Sequence, residues 1–247
     1  MPGQQFHHLL KIIPSSGKII LFNHDKNALD VINEGCWANI IEINGDSSLA
    51  SFDPSSSMIK FDGKSVCIND LPFYGSHNKL NAAAAIISAS SYGINLDAAY
   101  DGLKDFSGVL RRLEEKGTFK GITILDDFAH HPTAIETTLH ALSEPGAMHG
   151  PLIAVIELRS NTMKAGIHGS ALLDSTACAD RVIWVLSTET EWDTSVLERS
   201  NGTSSVVADA LSLEHELVRQ TTGQIVFMSN SGFSGIQSRV VDRLQER

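Results

Sequence analysis

The sequence predicts an α/β fold built on a mostly parallel sheet with helices on both faces. From Thr118 to the C-terminus, apolar strand-like runs alternate with segments of helical period. Alternation at these lengths implies parallel strands joined by crossover helices. The stretch from Ile122 to Ile135 reads as a buried strand, a polar elbow and a helix start, with Pro132 suited to a helix's first turn. Polar loops also follow predicted strand ends at Asp126–His131, Glu157–Met163 and Met228–Gly235. Ligands of open α/β sheets bind outside the carboxyl ends of the strands.

The elements follow in order. Phe6, Leu9, Leu10, Ile12 and Ile13 recur at helical spacing, and Pro14-Ser15-Ser16-Gly17 ends that helix. Lys18–Phe22 is a strand, Asn23-His24-Asp25 a turn, and Ala28, Leu29, Val31 and Ile32 mark a second helix. Ile40, Ile41 and Ile43 form a further strand, and residues 45–65 are polar and read as irregular or antiparallel structure. The stretch from Leu71 to Asn81 leads into an alanine-rich helix. Tyr92-Gly93-Ile94 stops it, a short helix runs to Leu103, and Phe106-Ser107-Gly108-Val109 is a linker. Leu110 to Glu114 opens a new unit, with Arg111 and Arg112 alternating across a strand. Beyond it, strands are expected at 118–125, 152–157, 181–186 and 224–228, and helices at 132–143, 166–178, 206–221 and 234–246.

Composition narrows the function. The 247 residues are 42% hydrophobic and 19% charged, enough for a core and ordinary for a globular protein. A formal net charge of −10 argues against a general nucleic-acid or membrane-surface binder, which would show a basic face. The cysteines Cys36, Cys67 and Cys178 lack metal-type spacing and fit a reducing cytoplasm. No run is apolar enough for a transmembrane helix. Gly17-Lys18 is not a phosphate loop, because Ile19 follows it and the glycine five positions earlier is absent.

Several residue sets suit particular chemistry. Asn78 and Asn81, three apart, share a helix face, and a carboxamide matches the donor–acceptor edge of adenine. Either also reads plainly as a helix cap. An arginine fork at 111 or 112 suits phosphate oxygens. Asp126, Asp127, His130 and His131 place two carboxylates and two imidazoles at one elbow.

The runs Gly75-x-His77-Asn78-x-x-Asn81-Ala82, Phe106-x-Gly108-Val109-x-Arg111-Arg112-x-Glu114 and Asp126-Asp127-Phe128-Ala129-His130-His131-Pro132-Thr133 resemble, in order and spacing, those of the Mur ligases of peptidoglycan synthesis. Arg159-Ser160-Asn161-Thr162-Met163 and Met228-Ser229-Asn230-x-Gly232-Phe233-x-Gly235-Ile236 narrow the resemblance to the cell-wall recycling branch. That branch joins UDP-N-acetylmuramate to the murein tripeptide L-Ala-γ-D-Glu-meso-diaminopimelate. The resemblance implies a partial central ATP-binding domain over residues 1–105 and a C-terminal Rossmann-like ligase domain over 106–247. It implies a cytoplasmic amide ligase acting through an acyl phosphate, with ATP and Mg²⁺ as cofactors.

The family's phosphate loop, Mg²⁺-binding glutamate and histidine, and carbamylated lysine are expected upstream of this sequence. The chain is then expected to be inactive by itself. Carried over by the resemblance, His77, Asn78, Asn81, Arg112 and Asp127 would serve ATP, with Asp127 accepting from the ribose hydroxyls. His130, His131, Arg159, Ser160, Asn161, Thr162, His168, Ser229 and Asn230 would serve the substrates. Leu158, Ser231 and Gln237 depart from the proline, glycine and histidine expected there. Two alternatives stay open: a non-catalytic peptide- or nucleotide-binding module, and the family member that adds L-alanine to UDP-N-acetylmuramate. A nicotinamide-dependent oxidoreductase is disfavoured, because no Gly-x-Gly-x-x-Gly opens a helix after the first strand of the C-terminal unit.

Overall fold

The structure is a computed structural model that describes the chain apart from Met1, Ser48, Pro72, Phe73, Ser107, residues 145–149, Thr188, Ser200 and Asn201. Part of the Leu71–Asn81 stretch and of the expected linker therefore lies outside the described residues. The chain divides into two compact units, Met1–Ser107 and Gly108–Arg247.

The first unit opens with α1 (Pro2–Ile12), β1 (Lys18–Phe22), α2 (Lys26–Asn33) and β2 (Asn39–Ile43). Asp25 caps α2 by accepting from Ala28 N–H. Strands β1 and β2 pair in parallel, as a helical crossover requires. An antiparallel sheet follows, from β3 (Ala50–Asp53), β4 (Met58–Phe61) and β5 (Lys64–Cys67). Helices α3 (Ser76–Ser91) and α4 (Leu96–Lys104) complete the unit. Ala82, Ala83, Ile86 and Ile87 turn the small apolar face of α3 into a core with Ile43, Phe52 and Ile59. Alanines here let the helix approach the strands closely.

The second unit is a six-stranded sheet in the order β10-β9-β8-β11-β7-β6. Its strands are β6 (Glu114–Phe119), β7 (Ile122–Asp127), β8 (Leu152–Leu158), β9 (Arg181–Leu186), β10 (Ser204–Val207) and β11 (Gly223–Met228). All pairs are parallel except β6 with β7. Strands β8 and β11 are buried along their whole length, as central strands covered on both faces must be. On one face Ile122, Ile124, Ile153, Val155, Ile225 and Phe227 form a core with Leu213 and Leu217 of α8 (Ala210–Val218) and Val240 and Leu244 of α9 (Ile236–Glu246). Strand alternation sends Leu125, Ala154, Ile156, Val226 and Met228 to the opposite face. There α5 (Pro132–Ser143) packs against β8, burying Ile135, Leu139 and Leu142.

Four expectations are corrected. The strand placed at 118–125 is a hairpin of β6 and β7, turned at Lys120 and Gly121 with φ of 49° and 86°. Two left-handed residues match the right-handed twist of the flanking strands. Arg111 and Arg112 are not on a strand: they lie in a loop in which Arg111 and Leu113 have φ of 59° and 53°. The helix at 166–178 is replaced by α6 (Asn161–Lys164) and α7 (Ala171–Asp174). Gly166 and Gly169, with φ of 67° and 49°, interrupt helical continuity between them. Finally, Val206 and Val207, expected to start a helix, belong to edge strand β10, and α8 begins only after its cap Asp209.

Candidate functional site

In the second unit, β7, β11 and β8 are neighbours and run in parallel, so the loops after them share one rim. Adjacent strand residues point to opposite faces, and this separates the two elbow carboxylates. Asp127 faces α5. Its Oδ2 accepts from Leu113 N–H at 2.9 Å, and its Oδ1 accepts from Ala129 N–H at 2.8 Å and from the Thr138 hydroxyl at 3.2 Å. Only 4% of Asp127 is exposed. The residue expected to meet ribose therefore ties the elbow, the Arg111–Leu113 loop and α5 together. Asp126 faces the other way, 3.7 Å from Arg111 Nε and 4.0 Å from Lys116 Nζ. Burial raises the Asp126 pKa, opposed by Arg111, Lys116 and Gln237 of α9.

Arg111 and Arg112 divide their tasks. Arg111 donates to Ser229 O at 2.5 Å and to Ser231 O, and its guanidinium lies 4.9 Å from the centre of the Phe128 ring. Arg112 is exposed, and its guanidinium lies 5.5 Å from the same ring centre. Among the described residues it has no ion pair, so its fork is available to an anion.

The loop after β11 is braced from β8. Glu157, buried at 5% exposure, accepts on Oε2 from the Ser229 hydroxyl at 2.5 Å and from the Ser231 hydroxyl. Ser231 N–H donates to Ser229 Oγ at 2.8 Å. Next along the chain, Phe233, Ser234 and Gly235 have φ of 50°, 48° and 79°. Phe233 is anchored edge-on to Phe227, with ring centroids 5.2 Å apart. Asn230 stands at this loop with its Oδ1 buried and without a hydrogen bond among the described residues.

After β8, Arg159, Asn161 and Thr162 are exposed, whereas Ser160 is buried and caps α6 by accepting from Met163 N–H at 3.3 Å. Trp192 Nε1–H donates to Met163 O at 2.8 Å and so holds this segment from the loop after β9. His130 Nδ1 is 2.8 Å from Phe128 O, which makes it the protonated ring nitrogen. His131 lies edge-on to His168, with centroids 4.6 Å apart. Burial, and then His131, lower the His168 pKa.

In the first unit Asn78 donates from Nδ2 to Tyr74 O at 2.9 Å, and Asn81 is exposed one turn further on. Neither is the helix cap: Gly75 holds that place, with φ 83°. Asn78 keeps its Oδ1 and a second N–H, enough for one edge of a purine. His77 lies beside Asn78 on the same first turn.

Sequence reasoning assigned Glu157, Thr138 and Trp192 no site role; it offered Arg111 only as an alternative to Arg112, and Ser231 only as a departure from an expected glycine. Glu157 alone had a clear signal, a carboxylate inside the otherwise apolar strand Leu-Ile-Ala-Val-Ile-Glu-Leu.

Comparison with known proteins agrees with this architecture. Residues 111–225 match the family described as Mur ligase, glutamate ligase domain. The chain is 35% identical over 252 residues to the UDP-N-acetylmuramate–L-alanyl-γ-D-glutamyl-meso-2,6-diaminoheptandioate ligase of Escherichia coli K12, which covers 99% of this chain and 55% of that protein. A UDP-N-acetylmuramate–L-alanine ligase of Clostridium acetobutylicum is 38% identical over 144 residues, covering 55% of this chain and 31% of that protein. Among solved structures, a murein peptide ligase from Psychrobacter arcticus 273-4 matches with a TM-score of 0.69 and 33% identity, covering 99% of this chain and 55% of that one. The chain thus spans about half the length of the tripeptide ligases it matches. With its motifs, its mostly parallel six-stranded sheet and these likenesses in agreement, the chain belongs to the Mur ligase family.

Proposed function

We propose that this chain is the C-terminal part of an ATP-dependent ligase that joins UDP-N-acetylmuramate to L-Ala-γ-D-Glu-meso-diaminopimelate in cytoplasmic peptidoglycan recycling. One observation carries the reading. Likeness to a tripeptide ligase runs over 99% of the chain at 35% identity, whereas likeness to L-alanine ligases runs over 55% of it in one relative and 73% in another. Residues 1–105 are read as the end of an ATP-binding domain and 106–247 as the ligase domain.

ATP, when bound, supplies the phosphoryl group that converts the poor muramate carboxylate electrophile into an acyl phosphate. On this chain, Asn78 and Asn81 would hold the base, with His77 beside it. Arg112 would pair with a phosphate, since its exposed guanidinium, 5.5 Å from the Phe128 ring centre, has no ion pair among the described residues. Asp127 would act mainly by holding the elbow in place, because both its oxygens already accept from the protein. Mg²⁺ is assigned no step here: among the described residues no three His, Cys, Asp or Glu side chains stand together to hold it.

Peptide recognition would fall to the rim. Arg159 is an exposed cation at the end of β8, suited to a tripeptide carboxylate. Ser160, Asn161 and Thr162 beside it, His130, His131 and His168, and Ser229 and Asn230 would shape the pocket. The test is a calorimetric titration of this chain with the tripeptide, L-alanine and ATP. Tripeptide binding weakened by Arg159→Ala is the expected result. Binding of L-alanine without the tripeptide would move the reading to the alanine-adding ligase.

A further inference from the structure

The geometry points to Arg111 as a positioning residue that sets the conformation of the Ser229–Ser231 loop. Four observations bear on it. Its guanidinium donates to two carbonyls of that loop, those of Ser229 and Ser231. The side chain cannot swing freely, because one face lies on Phe128 and Nε stands 3.7 Å from buried Asp126. Its backbone is fixed as well: Arg111 N–H donates to Glu114 Oε2 at 2.9 Å, and Arg111 O accepts from Phe128 N–H at 2.8 Å. The residue holds φ of 59°, a left-handed conformation that an arginine adopts only when its surroundings impose it.

The loop is thereby gripped by opposite charges on different atoms. Glu157 takes the hydroxyls of Ser229 and Ser231, while Arg111 takes their carbonyls. A carboxylate can only accept and a guanidinium can only donate. Each brace therefore fixes what the other cannot, and together they fix the orientation of the peptide units between Ser229 and Ser231. Arg112, one residue on, has no such bond and stays exposed. The twin arginines are thus one internal clamp and one outward cation. Only the consequence for peptide affinity rests on the proposed function.

The test is residue-resolved amide hydrogen exchange on the 247-residue chain. Ser229 N–H is bonded to Asp127 O at 3.1 Å and Ser231 N–H to Ser229 Oγ, so both report on the loop. Arg111→Gly accepts the positive φ and removes the guanidinium, and Arg111→Lys keeps the charge but not the fork. Exchange at Ser231 is expected to quicken by about tenfold or more in Arg111→Gly and less in Arg111→Lys, with the amide of Val155 in β8 unchanged. Millimolar methylguanidinium should restore protection in the glycine variant, a rescue that general loss of stability would not show.

Unchanged exchange at Ser231 would mean that Glu157 suffices and would overturn the proposal. So would quickening shared equally by Val155, which would make Arg111 a residue of overall stability. Tripeptide affinity measured on the same samples separates the two readings. A wild-type chain that does not bind the tripeptide sinks the assignment of peptide recognition to this rim alone, while exchange still decides the role of Arg111.

Discussion

Replacing Asp127 tests the reading that this carboxylate is a latch. In Asp127→Ala, the N–H groups of Leu113 and Ala129 lose their acceptor, and both residues are buried, at 6% and 1% exposure. A buried donor left unsatisfied costs about 1–3 kcal/mol, so the pair sums to about 2–6 kcal/mol. Some of this returns, because Leu113 is held at φ 53°, and releasing a left-handed non-glycine residue recovers about 1 kcal/mol or more. The expected net loss is about 1–5 kcal/mol, a large part of the roughly 5–15 kcal/mol typical of a domain. Asp127→Asn keeps one acceptor oxygen and should fall between alanine and wild type. Thr138→Val removes only the 3.2 Å bond to Oδ1 and should cost about 1 kcal/mol. Urea unfolding followed by the fluorescence of Trp184, fully buried in the second unit, reads the relevant transition. A loss below about 1 kcal/mol for Asp127→Ala, the range of an ordinary surface substitution, would refute the latch.

Other outcomes follow from backbone geometry and titration. At Gly223, with φ of 116°, an added Cβ would stand 2.4 Å from Pro151 O, so Gly223→Ala must push β11 away from the start of β8. It should cost at least about 2 kcal/mol in the same unfolding assay. His168 gives a pH dependence, since burial and then His131 hold its pKa below the ordinary 6.5. The unfolded chain then takes up the proton at higher pH than the folded one. The contribution of His168 is whole above about 6.5 and is lost as pH falls from there through the folded value. Unfolding free energies at about pH 7.5 and pH 5.5 should differ less in His168→Gln than in wild type.

What was legible in the sequence follows the range of the physics involved. Helix α5 is visible because Pro132 marks its first turn and Ile135, Leu139 and Leu142 repeat along one face, all local signals. The central strands are visible because burial on both faces demands unbroken apolar runs. Strand β6 is hidden: Glu-Glu-Lys-Gly-Thr-Phe is an edge strand with no buried residue to mark its period. Strand β10 is too short for periodicity to speak. In the site, the polar loops were visible as loops, and their common rim follows from topology. The clamp was not, because Arg111 bonds to carbonyls 118 and 120 residues away. A backbone carbonyl carries no residue identity, so no motif announces it as a partner.

The two charged doublets of the rim, Asp126–Asp127 and Arg111–Arg112, are each split by backbone geometry, but not by the same one. Asp126 and Asp127 are consecutive on a strand, so pleating alone forbids them to serve one ligand side by side. One is spent on the α5 face, where Leu113, Ala129 and Thr138 use its oxygens. The other joins Arg111 on the α9 face, where its charge balances a guanidinium turned toward the neighbouring loop. Arg111 and Arg112 lie off the strand, and there the separation comes from a left-handed backbone rather than from pleating. In each doublet one member is consumed by holding the loops in place. Of these four residues, Arg112 is the one left as an exposed charge, with no ion pair among the described residues. A motif of four charged residues thus builds a rigid rim that presents one outward cation, which is the charge an incoming phosphate needs.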